Sequence, residues 1–448
     1  MKIAPFVMMR QSASIGILDA KTHAMNRVDL KLMNGIKPYE VLQVLALKDK
    51  IFAFYTTLEK SEMTLWAIEI APTNLMPKGK SQQLTKVNCI GIFARLGSTR
   101  FDFATSRDHS KLVIIKKDDS IEVLAYNQDL QQLWKKEWPR AIEQGHFFGH
   151  AGELDNDGNF FIAGEWTTSK FPSLGDGPKQ WVLWSLPDNG LHETFLPLTL
   201  DDREISQVLI RKLDKELICA GLFSQGSHRT EASGTFVMKI NTETNSVEST
   251  KQTQFDQAFI DSTRLITRRS GASFETNNSS TFSGLKNYRL QHLNVGPSNE
   301  IYLIGEYQTA DIGYSYSHYD FGAILIAKLT LEGQLEWVRT LNKMQTADKR
   351  YSSYLLAYVK NKMCFLFNDS PKNTEVSSRT VRQFNGFASA LTMISVDDNG
   401  NCERQLITDK TGKEGMIIPK FGRQLSDGTV LLYAKNRTKS ELGILRLN

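Results

Sequence analysis

The sequence has few cysteines and no long apolar or charged run, and each absence removes a class of protein. Its four cysteines, Cys89, Cys219, Cys364 and Cys402, form no CxxC pair and no zinc-type pattern. No stretch approaches the roughly 20 apolar residues of a membrane-spanning helix. Lys and Arg give a net charge of +5 but are interleaved with Asp and Glu. We therefore expect no metal-binding residues, no transmembrane segment and no nucleic-acid partner.

The N-terminal residues also lack a clear export signal. The apolar run Ile3–Met9 follows Lys2, but it is short and ends at Arg10 without a cleavage pattern. We interpret this run as a strand and predict no signal peptide in this chain.

The chain does contain the material for a large core. Of its 448 residues, 41% are hydrophobic and 10% aromatic, which excludes disorder as the main state. A β-type unit of about 55 residues recurs along the chain. Its second strand is apolar at nearly every position, as expected for a strand packed on both faces. The seven copies of this strand are Ile51–Tyr55, Leu112–Ile115, Phe160–Gly164, Leu217–Gly221, Ile301–Gly305, Met363–Phe367 and Val430–Ala434.

Further strands and turns follow at the same places in the copies. A third apolar strand precedes an Asn or Gly turn at Leu65–Ile70, Phe236–Ile240, Ile324–Leu329 and Leu391–Val396. A polar strand then completes a four-stranded unit. The sequence therefore predicts an all-β fold, a β-propeller of about seven four-stranded blades, with six or eight also possible, as a single domain over residues 1–448.

The two ends of the chain are predicted to share the closing blade. The last unit ends at Leu442–Leu447 without a fourth strand, while Ile15–Leu18 and Val28–Leu32 supply extra strands near the N-terminus. Joining them would leave only short, protected sheet edges.

One insertion is predicted between the fourth and fifth units, at about residues 255–286. Phe255, Phe259 and Ile260 have helical spacing, and a Ser/Asn-rich stretch follows. We expect a short amphipathic helix and a loop.

Several motifs resemble an uncharacterised β-propeller-like family of exported Bacteroidota proteins. They are Phe103–Asp108, Tyr319–Leu325, Gly333–Arg339, Tyr351–Tyr354 and Phe367–Asn373. The resemblance implies a propeller that is periplasmic, outer-membrane-associated or secreted. It implies no activity and carries no catalytic residues.

Motifs that would carry chemistry are incomplete. Ala327–Trp337 has part of the tryptophan-docking spacing of quinone-dependent propellers, but Leu329 stands where that motif has Asp. Ser426–Thr429 matches part of a sialidase Asp box and does not recur. Asp155–Asn159 and Asp397–Asn401 begin like calcium loops but lack the downstream Glu, so hairpin turns are the alternative. We predict no catalytic residues and no cofactor, with calcium at either turn left open.

Two acids stand at matching places. Glu165 and Glu306 each follow a Gly at the end of a second strand. This repetition favours a structural or rim role. Acids from distant parts of a propeller sequence can still meet near its axis and cleave glycosides, so a glycan-active hydrolase stays an alternative.

The long loops between second and third strands are the predicted binding face. They run from Thr167 to Gln180, Ser224 to Gly234, Gln308 to Asp320 and Asn368 to Asn385, and the connections between blades open at the same end. Tyr with Arg or Lys offers large contact area and hydrogen bonding. The alternative for the segment Asp311–Tyr319 is a hairpin whose Tyr rings alternate onto adjacent blades. The predicted ligand- or partner-binding residues are Tyr314, Tyr316, His318, Tyr319, His228, Arg229, Lys372 and Arg379.

These observations predict a non-catalytic binding or scaffolding propeller of the bacterial envelope that recognises a protein or a glycan. The alternative is a glycan-active hydrolase or quinone-dependent enzyme with acids near the propeller axis.

Overall fold

The structure is a computed structural model that describes most of the chain. The described residues are 3–6, 13–18, 25–30, 40–59, 61–88, 100–117, 121–138, 146–168, 179–225, 231–269, 284–312, 317–373, 381–386, 389–408, 416–435 and 440–447. They fall into two compact units, Met1–Leu198 and Thr199–Asn448. The single domain expected over residues 1–448 stays a prediction.

The first unit contains one three-stranded sheet and three four-stranded antiparallel sheets. The three-stranded sheet consists of β1 (Ile3–Phe6), β2 (Ala13–Leu18) and β3 (Met25–Leu30). Blade 1 consists of β4 (Glu40–Leu47), β5 (Lys50–Glu59), β6 (Glu62–Ile70) and β7 (Pro77–Asn88). Blade 2 consists of β8 (Phe101–Thr105), β9 (Lys111–Lys117), β10 (Ile121–Asn127) and β11 (Gln132–Glu137). Blade 3 consists of β12 (His146–Leu154), β13 (Phe160–Thr167), β14 (Lys179–Leu186) and β15 (Thr194–Leu198), with the one-turn α1 (Pro187–Gly190) before β15.

The second unit contains four four-stranded antiparallel sheets and one two-stranded pair. Blade 4 consists of β16 (Glu204–Leu213), β17 (Glu216–Ser224), β19 (Gly234–Asn241) and β20 (Ser246–Gln254). The pair β18 (Glu231–Ala232) and β21 (Leu285–Lys286) flanks α2 (Gln257–Arg269) in sequence. Blade 5 consists of β22 (Tyr288–Val295), β23 (Ile301–Ile312), β24 (Ser317–Leu329) and β25 (Leu335–Leu341). Blade 6 consists of β26 (Leu355–Val359), β27 (Lys362–Asp369), β28 (Ala390–Val396) and β29 (Cys402–Leu406). Blade 7 consists of β30 (Met416–Ile417), β31 (Arg423–Gln424), β32 (Val430–Lys435) and β33 (Ser440–Leu445).

The described residues thus form seven four-stranded blades, and the predicted β-propeller fold is confirmed. Each of the seven apolar runs is the second row of its blade. These strands are buried because they pack on both faces: Phe54 of β5 and Ile114 of β9 are 0% exposed and belong to one core cluster. A fully buried side chain of this size contributes roughly 1.5–3 kcal/mol to folding. The burial explains why strict alternation is missing from the sequence.

The shared closing blade stays a prediction. Among the described residues, β1, β2 and β3 pair with one another, and the strands of blade 7 come from residues 416–445. The first row of blade 7 is broken into β30 and β31, which both pair with β32. Pro419 begins a 3-10 turn, Pro419–Phe421, between them, because a proline has no N–H for the ladder. β30 and β31 therefore lie along one edge of β32, and β33 lies along its other edge.

The predicted helix in the insertion is confirmed as α2. Asp256 caps it, since its carboxylate accepts a hydrogen bond from the Ala258 N–H at 2.9 Å. Ile260 is fully buried, and Phe255 packs edge-on against Phe259 at 5.5 Å. The Ser/Asn-rich stretch after the helix lies outside the described residues.

A bulge in the first strand recurs in four blades, and in three of them a glycine of the second strand lies opposite the bulge or one residue beyond it. These glycines are Gly164, Gly221 and Gly305. A Cβ at Gly221 would overlap the carbonyl oxygen of Gln207, and one at Gly305 would lie 3.0 Å from that of Arg289. The bulged strand therefore approaches closely only because these positions lack a side chain.

Glutamine side chains join neighbouring first strands of the second unit. The Gln207 amide donates to the Tyr288 carbonyl at 2.5 Å and accepts from the Leu290 N–H at 2.8 Å. The Gln424 amide bonds both backbone groups of Tyr358 in blade 6. Each side-chain amide thus takes the place of a backbone partner between strands and holds the two adjacent blades together.

Candidate functional site

The structure describes part of the predicted binding site. Tyr319 lies in β24 and is half-buried, and Lys372 is exposed on the loop after β27. The backbone of His318 pairs with that of Asp311, while its side chain lies outside the described part. The remaining predicted residues, which all lie outside the described residues, are Tyr314, Tyr316, His228, Arg229 and Arg379.

The loop predicted from Gln308 to Asp320 is mostly a hairpin. β23 continues to Ile312 and β24 begins at Ser317, with Ala310 opposite Tyr319. Thr, Ile and Tyr favour extended backbone, so the two strands simply run on past the blade. Tyr319 therefore stands on a strand and not on a free loop.

The connections at this end of blades 5 and 6 are joined by backbone hydrogen bonds. Gln345, on the connection between the two blades, exchanges two bonds of 2.9 Å with Phe321 at the base of the hairpin. On its other side, the Thr346 N–H donates to the Phe384 carbonyl at 2.9 Å. The prediction that the long loops and the connections between blades open at one end is confirmed for these two blades.

Exposed cations lie next to aromatic rings on these joined connections and on the 3-10 turn of blade 7. The Nζ atom of Lys349 lies 5.5 Å from the centre of the Tyr319 ring. Arg350 lies over Tyr351 at 5.6 Å, and Lys420 lies over Phe421 at 5.1 Å. Such contacts hold a long side chain over a ring at a gain of about 0.5–1 kcal/mol. We call the following residues the connection surface: Tyr319, Lys349, Arg350, Tyr351, Lys372, Arg382, Lys420 and Phe421.

One carboxylate faces this set of cations. Asp348 accepts hydrogen bonds from Arg350, which hold the pKa of Asp348 below its usual value, and Lys420 lowers it further. Lys349, Lys372 and Arg382 make no ion pair within the described residues. The connection surface therefore carries an excess of positive charge.

Some exposed lysines elsewhere in the same unit have acidic partners. Lys215 lies 3.0 Å from Glu243, and Lys362 lies 3.9 Å from Glu403. These pairs balance charge locally at the tight-turn end of the blades.

A buried polar cluster lies beneath the connection surface. The side chains of Lys343 and Glu306 are both 0% exposed, and Nζ lies 2.6 Å from the Glu306 carboxylate. Lys343 also donates to the Gln345 side chain at 2.8 Å. Burial lowers the pKa of Lys343, and the Glu306 carboxylate partly offsets this shift.

The Glu306 carboxylate is hydrogen-bonded by three further side chains. Gln291 donates at 3.0 Å, Gln308 at 2.9 Å and Ser353 at 2.8 Å. Gln291 is the extra residue of the β22 bulge, and Ser353 lies on the connection to blade 6. The carboxylate thus ties the first strand, the second strand and the connection together.

A second buried ion pair follows in blade 6. Asp369, at the end of β27, is paired with Arg404 of β29, and both side chains are at most 2% exposed. Burial raises the pKa of Asp369, and Arg404 opposes that shift. Lys343 and Arg404 both approach the Phe367 ring, at 5.9 and 5.8 Å. These pairs fix the base on which the connection surface stands.

The other predicted acid has different surroundings. The Oε2 atom of Glu165 lies 4.0 Å from Nε2 of His150, the extra residue of the β12 bulge, and His150 is 48% exposed. The His150 ring also lies 5.1 Å from that of Trp181. Glu165 and Glu306 thus occupy equivalent positions in strands but meet different partners.

The calcium-like motifs form hairpin turns. Asp155 accepts hydrogen bonds from the Gly158 and Asn159 backbone at 2.9 and 2.8 Å. Asp397 accepts likewise from Asn399 and Asn401, both at 2.9 Å. The described residues contain no group of three or more His, Cys, Asp or Glu side chains placed to hold a metal ion.

The remaining motifs have structural roles. Trp337 donates its indole N–H to the Asp398 carbonyl at 2.9 Å and so joins blade 5 to a turn of blade 6. Asp427 lies in the turn before β32 and accepts from the Thr429 N–H. Cys219 and Cys364 are buried, as predicted, whereas Cys89 lies outside the described residues.

A cleft of about 800 Å³ lies between blades 6 and 7 at the tight-turn end. Its lining combines apolar side chains, including Met393 and Leu445, with the charged Lys362 and Glu403. No residue predicted to bind a ligand lines it.

Sequence reasoning missed most of the connection surface. Lys349, Arg350 and Tyr351 lie on the connection between blades 5 and 6, and Lys420 lies on the 3-10 turn within blade 7, whereas the sequence prediction concerned the loops within blades. The available signal was the run Asp348–Tyr351, three consecutive charged residues followed by an aromatic residue in a polar stretch.

Comparisons with known proteins give distant fold similarity and no family. No family model and no curated protein matches the sequence. The chain is similar to the Dos1 propeller, with 10% identity, coverage of 96% of this chain and 92% of that one, and a TM-score of 0.45. It is also similar to the β-propeller domain of the trilobed protease of Pyrococcus furiosus, at 8% identity, 89% and 87% coverage and a TM-score of 0.39.

A third similar structure is a protein of unknown function from Bacteroides caccae, with 13% identity, 75% and 93% coverage and a TM-score of 0.31. These structures include a domain of an enzyme and a protein without known activity, so they select no function. The described residues also contain no helix with the length and hydrophobicity to cross a bilayer. What the structure itself establishes is a β-propeller.

Proposed function

We propose that this protein is a non-catalytic binding or scaffolding propeller of the bacterial envelope, which recognises a glycan or a protein through its connection surface. The observation that carries the proposal is the set of exposed cations placed over aromatic rings on hydrogen-bonded connections. Polar and aromatic groups on a rigid base are the usual form of a recognition surface. The envelope location rests on the family resemblance of the sequence motifs.

The ionisable groups nearest to this surface support binding more than catalysis. Lys343 and Glu306 are fully buried and form an ion pair with each other. Arg404 and Asp369 form a second buried ion pair. A general acid or nucleophile has to reach its substrate, which these four side chains do not do. We therefore assign them the role of holding the surface in place.

A glycan array and a pull-down from an envelope fraction, both with the full chain, test the proposal. We expect a defined ligand to be retained, and Lys349→Glu with Lys420→Glu to reduce retention at least tenfold. Lys251→Glu is the matched control, because Lys251 is exposed on β20 of the same unit. Release of reducing ends from a retained glycan would favour the hydrolase alternative, and retention of neither ligand class would overturn the proposal.

A further inference from the structure

We propose that the connection surface binds an acidic polysaccharide through its carboxylate or sulfate groups. This inference rests on the proposed function and narrows it to one class of ligand. It is argued from the charge, the fixed geometry and the polarity of the surface.

The charge of the surface is one-sided. The stretches that build it, residues 342–354, 370–373, 381–386 and 419–421, contain a single acid, Asp348, which Arg350 already engages. Lys349, Lys372 and Arg382 are exposed and make no ion pair among the described residues. Cations in this state are available to charge-assisted hydrogen bonds with carboxylate or sulfate oxygens.

The geometry of the cations is partly fixed before any ligand arrives. Lys349 is held over the Tyr319 ring. The backbone of Arg382 is fixed because its N–H donates to the Asn373 side chain and its carbonyl accepts from the same side chain, both at 2.8 Å. Asn373 is itself anchored by the buried Asp369 at 2.7 Å. Groups that are already ordered lose less entropy on binding. Several weak contacts in fixed positions suit a ligand that repeats its anionic groups along a chain.

The polarity of the surface favours a polysaccharide over a protein. Stable protein interfaces have an apolar, water-excluded centre. Large exposed hydrophobic side chains occur elsewhere in the described part of the chain, and none belongs to the connection surface: they are Met76, Leu133, Leu191, Val247, Tyr358 and Ile444. A surface of cations and half-buried rings without such a centre fits a hydrated, charged polymer.

Binding of the full chain to polygalacturonate, chondroitin sulfate and neutral dextran, followed by calorimetry, tests the inference. We expect both acidic polymers to bind and dextran not to bind, with affinity falling as NaCl rises from 50 to 300 mM because salt screens exposed charges. Lys349→Ala, Lys372→Ala and Arg382→Ala should each weaken binding about two- to fivefold, the range of exposed ion pairs. The triple variant should weaken binding at least tenfold.

Controls separate this inference from the proposed function. Lys251→Ala should leave affinity unchanged, and all variants should keep the wild-type urea midpoint. Equal binding of dextran, or binding to a protein partner alone, would overturn the acidic polysaccharide while leaving a binding propeller in place. Equal binding of a DNA duplex would overturn it in favour of a nucleic-acid ligand.

Discussion

Blades 3 and 5 carry the same local motif, yet its glutamate is partly exposed in blade 3 and fully buried in blade 5. In each, a second strand contains Gly followed by Glu, opposite a bulge in the first strand. Glu165 of blade 3 faces the half-exposed His150 at 4.0 Å, and Glu306 of blade 5 faces the buried Lys343 at 2.6 Å. The strand sets where the carboxylate stands, but the connection to the next blade decides what it meets.

This difference shows how one scaffold position can serve two purposes. Residues 342–354 cover Glu306 and supply Lys343 and Ser353, so the carboxylate becomes part of a buried cluster. Glu165 keeps 18% of its side chain exposed. The cluster in blade 5 supports the connection surface, and breaking it should affect stability far more than the equivalent change in blade 3.

The largest difference is expected when the two acids lose their charge. Glu306→Gln leaves Lys343 buried without a counter-ion, and breaking a buried pair costs about 3–5 kcal/mol. Glu165→Gln should cost less than about 1 kcal/mol, as for exposed pairs. Urea unfolding followed by tryptophan fluorescence measures both, and similar losses in the two variants would contradict the contrast. The double variant Glu306→Leu with Lys343→Met should recover much of the loss, because no unpaired charge remains.

A smaller effect is expected at the glycines of the two motifs. A Cβ at Gly164 would overlap the Phe148 carbonyl and press on the Phe147 ring, whereas one at Gly305 meets its nearest atom at 3.0 Å. Gly164→Ala should therefore lower the free energy of unfolding by about 1–3 kcal/mol, and Gly305→Ala by less. Thermal unfolding of the two variants checks the order, which is wrong if Gly305→Ala is the more destabilised.

The smallest effect concerns pH. Burial lowers the pKa of His292, next to the bulge of blade 5, although Glu306 opposes the shift. The unfolded chain then binds this proton more readily, so stability is retained above the unfolded pKa of 6.5 and falls as pH decreases below it. Urea midpoints at pH 7.5 and 5.5 should differ less in His292→Gln than in wild type. His150→Gln, a change to a half-exposed histidine of blade 3, is the control and should keep the wild-type difference.

Local patterns in the sequence were enough to predict the second strands. Val430–Ala434 and Phe160–Gly164 are apolar because both faces of these strands are covered. A strand of this kind is recognisable from a run of consecutive apolar residues. The glycines at 164, 221 and 305 were equally visible. The structural reason for these glycines is the bulge on the neighbouring first strand, and sequence periodicity does not show which residues of two strands lie side by side.

Features that depend on distant residues were missed or misplaced. Pro419 splits the first row of blade 7 into β30 and β31, a break that the sequence pattern did not predict. The sequence left open whether the segment around Tyr319 is a binding loop or a hairpin, because strand extension beyond a blade leaves no distinct pattern.

The sequence by itself determined the all-β repeat, the seven buried strands and the place of the helix, because each follows from the polarity of neighbouring residues. Only the tertiary structure decided that Lys343 neutralises Glu306 and that Lys349 lies over Tyr319. Those contacts join residues from separate strands and connections, and their energies depend on burial and distance, which the order of residues does not contain.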